Sequence, residues 1–147
     1  MKFKLCYKEY DYKVTWSAKR DFKRETGRGL WSTLQGVMVV VHANKKSSAF
    51  NLMAEIGKHI DDVDGAILLH ALAKQCNSAL QLSEIADACE RAGWRPVDDD
   101  SEYAQPYTLV LYSIVLDIDA MYQQEAIQAK KDLCPSEDGQ DIKTAKK

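Results

Sequence analysis

The residues with the greatest chemical potential in this sequence are three histidines, four cysteines and a handful of acidic and basic clusters. The histidines, His42, His59 and His70, each lie more than four residues from any other His or from a Cys, so no helical metal-binding pair is spelled out. His70 sits within Ile67-Leu68-Leu69-His70-Ala71-Leu72 and reads as a helix-flank histidine bonded to its neighbours. No oriented nucleophile accompanies it. Cys6, Cys76, Cys89 and Cys134 contain no C-x-x-C spacing. They read as reduced thiols, with Cys76 and Cys89 as small core residues on helical patterns. No metal or cofactor is expected from these residues.

Acidic clusters occur at Asp61-Asp62-Asp64 and Asp98-Asp99-Asp100. A calcium loop needs oxygen ligands spaced around a Gly turn. Asp62, Asp64 and Gly65 match the middle of such a loop, but its first ligand would fall on Ile60 and its last on Ala71, and neither can serve. These acids, and Glu84, Asp87 and Glu90 near one helix face, therefore read as solvated charge. No phosphate-binding glycine loop, G-x-S-x-G or H-E-x-x-H occurs, so no catalytic residue is assigned and a non-enzymatic role is expected. The basic residues are more suggestive. Lys19 and Lys23 form one i,i+4 row, and Arg20 and Arg24 another. The plainer reading is a solvated helix face; the sharper one is a partner-binding face for an acidic protein segment. No recognition module for nucleic acid accompanies them.

These side chains must be positioned by the elements around them. Residues 2–7 and 10–16 alternate, with Phe3, Leu5 and Tyr7 aligned in the first run and Tyr10, Tyr12, Val14 and Trp16 in the second, all on one face of the paired strands. Pairing Tyr7 with Tyr10 gives a hairpin turning at Lys8-Glu9, with Leu5 opposite Tyr12 and Phe3 opposite Val14. Thr15-Trp16-Ser17 offers capping hydroxyls to a helix over 18–26, with Ala18 and Phe22 inward and Gly27 as its stop. Helical spacing then predicts helices over about 30–42, 50–60 and 63–76, with 43–48 as a polar link. The run Val37–Val41 also has strand propensity. Ser83 is a plausible cap for a further helix ending at Gly93. Pro106 suits the first turn of a last, long helix reaching about 131. The expected fold is mainly α with a short N-terminal β-hairpin of about 2–16. Five or six packed helices form one domain over 1–131, followed by a disordered polar tail over 132–147.

The chain has 147 residues, of which 46% are hydrophobic and 29% charged, and its mean hydropathy is −0.40. That is a globular composition with no membrane-length apolar run, and the alternating start lacks an apolar signal core. Neither a membrane nor secretion is expected. The net charge of −2 gives no sign of a nucleic-acid partner. It hides a split, however. Residues 1–46 hold 11 Lys/Arg against 4 Asp/Glu, net +7, and residues 47–147 hold 9 against 18, net −9. A basic front joined to an acidic body suits self-association, or a partner carrying patches of both signs.

The order of motifs resembles a known group. The segment MKFKLCYKEYDYKVTW runs into SAKRDFKRETGRGL, and LLHALAKQCNSALQLSEIADACERAG follows after a gap. This looks like the tail assembly chaperone family of long-tailed bacteriophages. The match is carried by the Glu25-Thr26-Gly27 turn, the Leu68–Leu72 helix and the Leu82-Ser83-Glu84-Ile85 helix start, and it covers residues 1–95. The resemblance implies a protein that binds the tape-measure protein and recruits tail-tube subunits in the host cytoplasm. It implies absence from the mature virion and a longer frameshifted form, with which the Lys146-Lys147 ending is compatible. Lys19, Arg20, Lys23 and Arg24 are then the candidate contacts. The competing expectation is a phage structural or adaptor protein, such as a connector, or a small protein-interaction module.

Overall fold

A computed structural model describes residues 1–93 and 106–133. In chain order the elements are β1 (Lys2–Leu5), β2 (Lys8–Asp11), α1 (Trp16–Thr26), α2 (Leu30–Ala43), α3 (Ala49–His59), α4 (Asp62–Ala73), α5 (Leu82–Ala92) and α6 (Tyr107–Leu133). The chain is thus mainly helical with a two-stranded N-terminal hairpin, as its periodicities predict. It divides into two compact units, Met1–Val115 and a second beginning at Leu116. The acidic run 98–100 and residues 134–147, which include Cys134 and most of the expected tail, lie outside the described residues. Asp132 and Leu133, assigned to that tail from sequence, instead end α6.

The hairpin keeps Phe3, Leu5, Tyr10 and Tyr12 on the expected face, but Tyr7 leaves it for the turn and the register differs. Phe3 pairs with Tyr10 and Leu5 with Lys8, so the turn is Cys6-Tyr7 rather than Lys8-Glu9. Both turn residues have positive φ, 49° and 68°, as a type I′ hairpin turn requires. The register has moved by an even number of residues, so the alternation is preserved, and Phe3, Leu5, Tyr10 and Tyr12 are all buried. Phe3 stacks on Tyr10 with ring centroids 5.3 Å apart. The second strand also ends early, at Asp11. Thr15 caps α1 by accepting a bond from the Ala18 amide at 3.1 Å, and Trp16 becomes the first helical residue. It is 69% exposed and has left the hairpin face.

In the first unit α4 packs against both α1 and α5. Its apolar residues are not confined to a stripe: Ala66, Leu68, Leu69, Ala71, Leu72 and Ala73 are all buried, while Val63 is exposed. A helix apolar on every side is one that neighbours surround. Each fully buried leucine there contributes about 1.5–3 kcal/mol. Asp61 caps α4 by accepting the Asp64 amide at 2.8 Å. Phe22 of α1, Leu30, Leu34 and Val37 of α2, Ile56 of α3 and Ile85 of α5 complete the core, along with Leu111 and Ile114 of α6. The 37–41 run is helical because Val37 and Val41 are buried one turn apart while Val39 points out. Ser83 is not the cap of α5. It lies inside the first turn, and Gln81 occupies the cap position without a side-chain bond. Cys76 is exposed at the end of the α4 region rather than in the core, whereas Cys89 is buried.

Candidate protein-interaction groove

The α1 sequence places Trp16, Lys19, Arg20, Lys23 and Arg24 at i, i+3, i+4, i+7 and i+8, which is one helical face. Ala18 and Phe22 take the opposite face into the core. Gly27 then stops the helix in the left-handed conformation, φ 75°, and its amide bonds the Lys23 carbonyl at 2.8 Å. The short link through Arg28 and Gly29 starts α2 beside α1, bringing Leu30 and Trp31 opposite the basic face. A groove of about 530 Å³ results, lined by Trp16, Lys19, Arg20, Lys23, Leu30 and Trp31 and completed by Arg24.

The four predicted cations thus share one groove, and two indole rings join them. Lys19 Nζ lies 5.2 Å from the Trp31 ring centroid, and Arg20 Cζ lies 5.3 Å from that of Trp16. Each such pair contributes about 0.5–1 kcal/mol at an exposed site. Sequence reasoning placed Trp16 on a strand and passed over Trp31. The available signal was position: Trp31 falls off the Leu30–Leu34–Val37–Val41 core stripe, and a large aromatic off the core face of a helix is a surface feature.

Beneath the lip, buried Asp21 organises the arginines. Its Oδ1 accepts from Arg24 Nη2 at 2.9 Å and Arg20 Nη2 at 3.3 Å, and Oδ2 faces Lys74 Nζ at 3.1 Å. Burial pushes the Asp21 carboxyl up, but hydrogen bonding and charge from Lys74, then Arg20, outweigh it and hold the group below its ordinary range. Arg20 and Arg24 are therefore partly neutralised from within, which leaves Lys19 and Lys23 as the groove's outward charge.

The other candidate residues have structural occupations. His70 Nε2 lies 2.9 Å from the Leu80 carbonyl oxygen, tying α4 to the segment before α5. His59 Nε2 lies 3.2 Å from the Thr33 carbonyl oxygen. Asp64 accepts from Arg28 Nη1 at 3.3 Å, and Arg28 Nη2 donates to the His59 carbonyl at 2.9 Å. Glu84 is not simply solvated. It takes Lys8 Nζ at 2.9 Å and the Tyr10 hydroxyl at 3.2 Å, clamping the hairpin onto α5, and the Lys8 bond holds its carboxyl below the ordinary range. Part of the charge split is thereby spent inside the fold, since Lys8–Glu84 and Arg28–Asp64 join bases of the N-terminal part to acids of the rest, whereas Lys74–Asp21 pairs in the opposite sense.

A second hollow, between α4 and α5, is lined by Val63, Ile67, Leu82, Ala86 and Cys89. Burial pushes the Cys89 thiol up to about 11, so it holds its proton at neutral pH and is a poor nucleophile. Among the described residues no group of three or more His, Cys, Asp or Glu is arranged to hold a metal ion, and no helix is long and apolar enough to cross a membrane. What the α1–α2 groove can do is accept an apolar surface with acidic flanks. No family model matches the chain, and neither the curated proteins nor the solved structures contain a match to it.

Proposed function

We propose that this chain is a non-enzymatic tail assembly chaperone of a long-tailed bacteriophage. In this reading it binds the tape-measure protein in the host cytoplasm, recruits tail-tube subunits, and is left out of the mature virion. The observation that carries the reading is the α1–α2 groove, where the indoles of Trp16 and Trp31 and the buried Leu30 are lined up with Lys19, Arg20, Lys23 and Arg24. Such a trough fits an amphipathic helix with acidic flanks, and a chaperone must cover helical apolar surface of this kind until tube subunits replace it. The motif order supports the same reading. The hairpin leads into a helix ending at Thr26-Gly27, Leu68–Leu72 lies on α4, and Leu82-Ser83-Glu84-Ile85 opens α5.

The test is co-expression with the tape-measure protein encoded beside this chain. The two are expected to co-purify, and Lys19→Glu with Lys23→Glu should weaken the complex at least tenfold. Purified virions should lack the protein. Failure to co-purify, or a complex indifferent to the double reversal, would overturn the reading.

A further inference from the structure

The second unit carries a surface that the tail-assembly reading leaves unused. On α6, Tyr122, Ala126, Ala129 and Leu133 recur at intervals of four, three and four residues, which places them on one helical face. All four are exposed, Tyr122 at 46% and Leu133 at 82%. By the same spacing, Glu125 and Asp132 flank one side of this stripe, Asp119 and Lys130 flank the other, so the flanks carry three acids against one base, and Lys131 is on the far side. Gln123 donates to Asp119 and Gln128 to Asp132, bonds that orient these carboxylates without neutralising them.

An apolar helical stripe flanked by carboxylates is the chemical counterpart of the α1–α2 groove, whose outward charge is Lys19 and Lys23. We infer that the groove of one copy takes the Tyr122–Leu133 segment of a second copy, and that the exchange is reciprocal. The contact joins two different surfaces, but reciprocal exchange closes it into a two-fold dimer rather than an open filament. The charge split of the sequence has a role in this arrangement: cations left over on α1 meet carboxylates left over on α6. The inference shares the groove with the proposed function but does not rest on it, because the association is read with this chain alone. Where both hold, self-association masks the groove until a longer ligand displaces it.

The experiment is sedimentation velocity of the full chain over a concentration series at low and high salt. A concentration-dependent dimer is expected, weakened by salt because the lip charges are exposed. Lys19→Glu with Lys23→Glu, and separately Glu125→Lys with Asp132→Lys, should each weaken the dimer at least tenfold. Mixing these two variants should restore it, since the reversed groove then meets the reversed helix and the unaltered pair meets as before. Circular dichroism checks that each variant folds. The milder Lys23→Gln and Glu125→Gln, which remove charge without reversing it, should each weaken association several-fold. A wild-type monomer at every concentration, a dimer indifferent to either reversal, or folded variants that stay monomeric when mixed would overturn the inference. So would a groove that leaves the chain monomeric but captures a thymidine oligonucleotide, which would assign the surface to single-stranded nucleic acid.

Discussion

Lys74, just past the end of α4, reaches back to α1 and sets its Nζ 3.1 Å from Oδ2 of Asp21. Arg20 and Arg24 take the other oxygen, so one buried carboxylate joins the groove's arginines to the core helix. Removing its charge strands three cations that were placed around it. Asp21→Asn is expected to cost about 2 kcal/mol, within the range for hydrogen bonds to charged groups, measured by urea unfolding at neutral pH.

The same group gives an acid dependence of known sign. Its folded pKa lies below the ordinary 3.8, so the unfolded chain takes up the proton first. The stabilisation is complete above about pH 4 and is lost as pH falls through the depressed folded value. Wild-type stability should therefore drop below pH 4 more steeply than that of Asp21→Asn. Parallel slopes for the two proteins would show that Asp21 is not the linked group.

The hairpin shows what alternation in a sequence can and cannot determine. Phe3, Leu5, Tyr10 and Tyr12 are legible as one buried face because side chains alternate along a strand. Their register is not legible, because registers two residues apart bury the same set, and neither Cys6-Tyr7 nor Lys8-Glu9 is a favoured turn sequence. The first helix was readable from its cap and stop, Thr15 and Gly27, whereas Asp61, read as solvated charge, proves to cap α4. The groove was half readable. Its cations recur at helical spacing on α1, whereas Trp31 comes from the next helix and meets them only through the fold.

Cys6 and Tyr7 both occupy the left-handed region, where a side chain costs about 1–2 kcal/mol. Replacing them with Asn-Gly, the pair that type I′ turns prefer, should stabilise the protein by about 1 kcal/mol. Tyr7 is 63% exposed, so little packing is lost. A rise in the urea midpoint with an unchanged slope is the expected result.

Tyr10 and Tyr107 are expected to titrate late. Burial, then the charge of Glu84, pushes the Tyr10 hydroxyl up to about 12; burial, then Asp62 and Asp61, does the same for Tyr107. The folded chain keeps these protons while the unfolded chain releases them near the ordinary 10.0, so stability is intact below pH 10 and falls as pH rises toward 12. Ultraviolet titration should show Tyr107→Phe removing one late-titrating phenol.

Tyr107 also dictates a glycine. Its hydroxyl donates to the Ile60 carbonyl at 2.7 Å, and the Cδ2–Cε2 side of its ring lies against Gly65 of α4. A Cβ on residue 65 would stand 2.6 Å from Tyr107 Cδ2 and 2.8 Å from Cε2, and the ring cannot swing away without giving up the bond to Ile60. Gly65→Ala should therefore destabilise the protein by about 1–3 kcal/mol, even though alanine favours a helix interior by about 1 kcal/mol. In a Tyr107→Ala background the clash is gone and helix propensity alone remains, so the same substitution should become neutral or stabilising. A double-mutant cycle by urea unfolding reads that change of sign directly. Equal costs in both backgrounds would mean that the ring is not what keeps residue 65 bare.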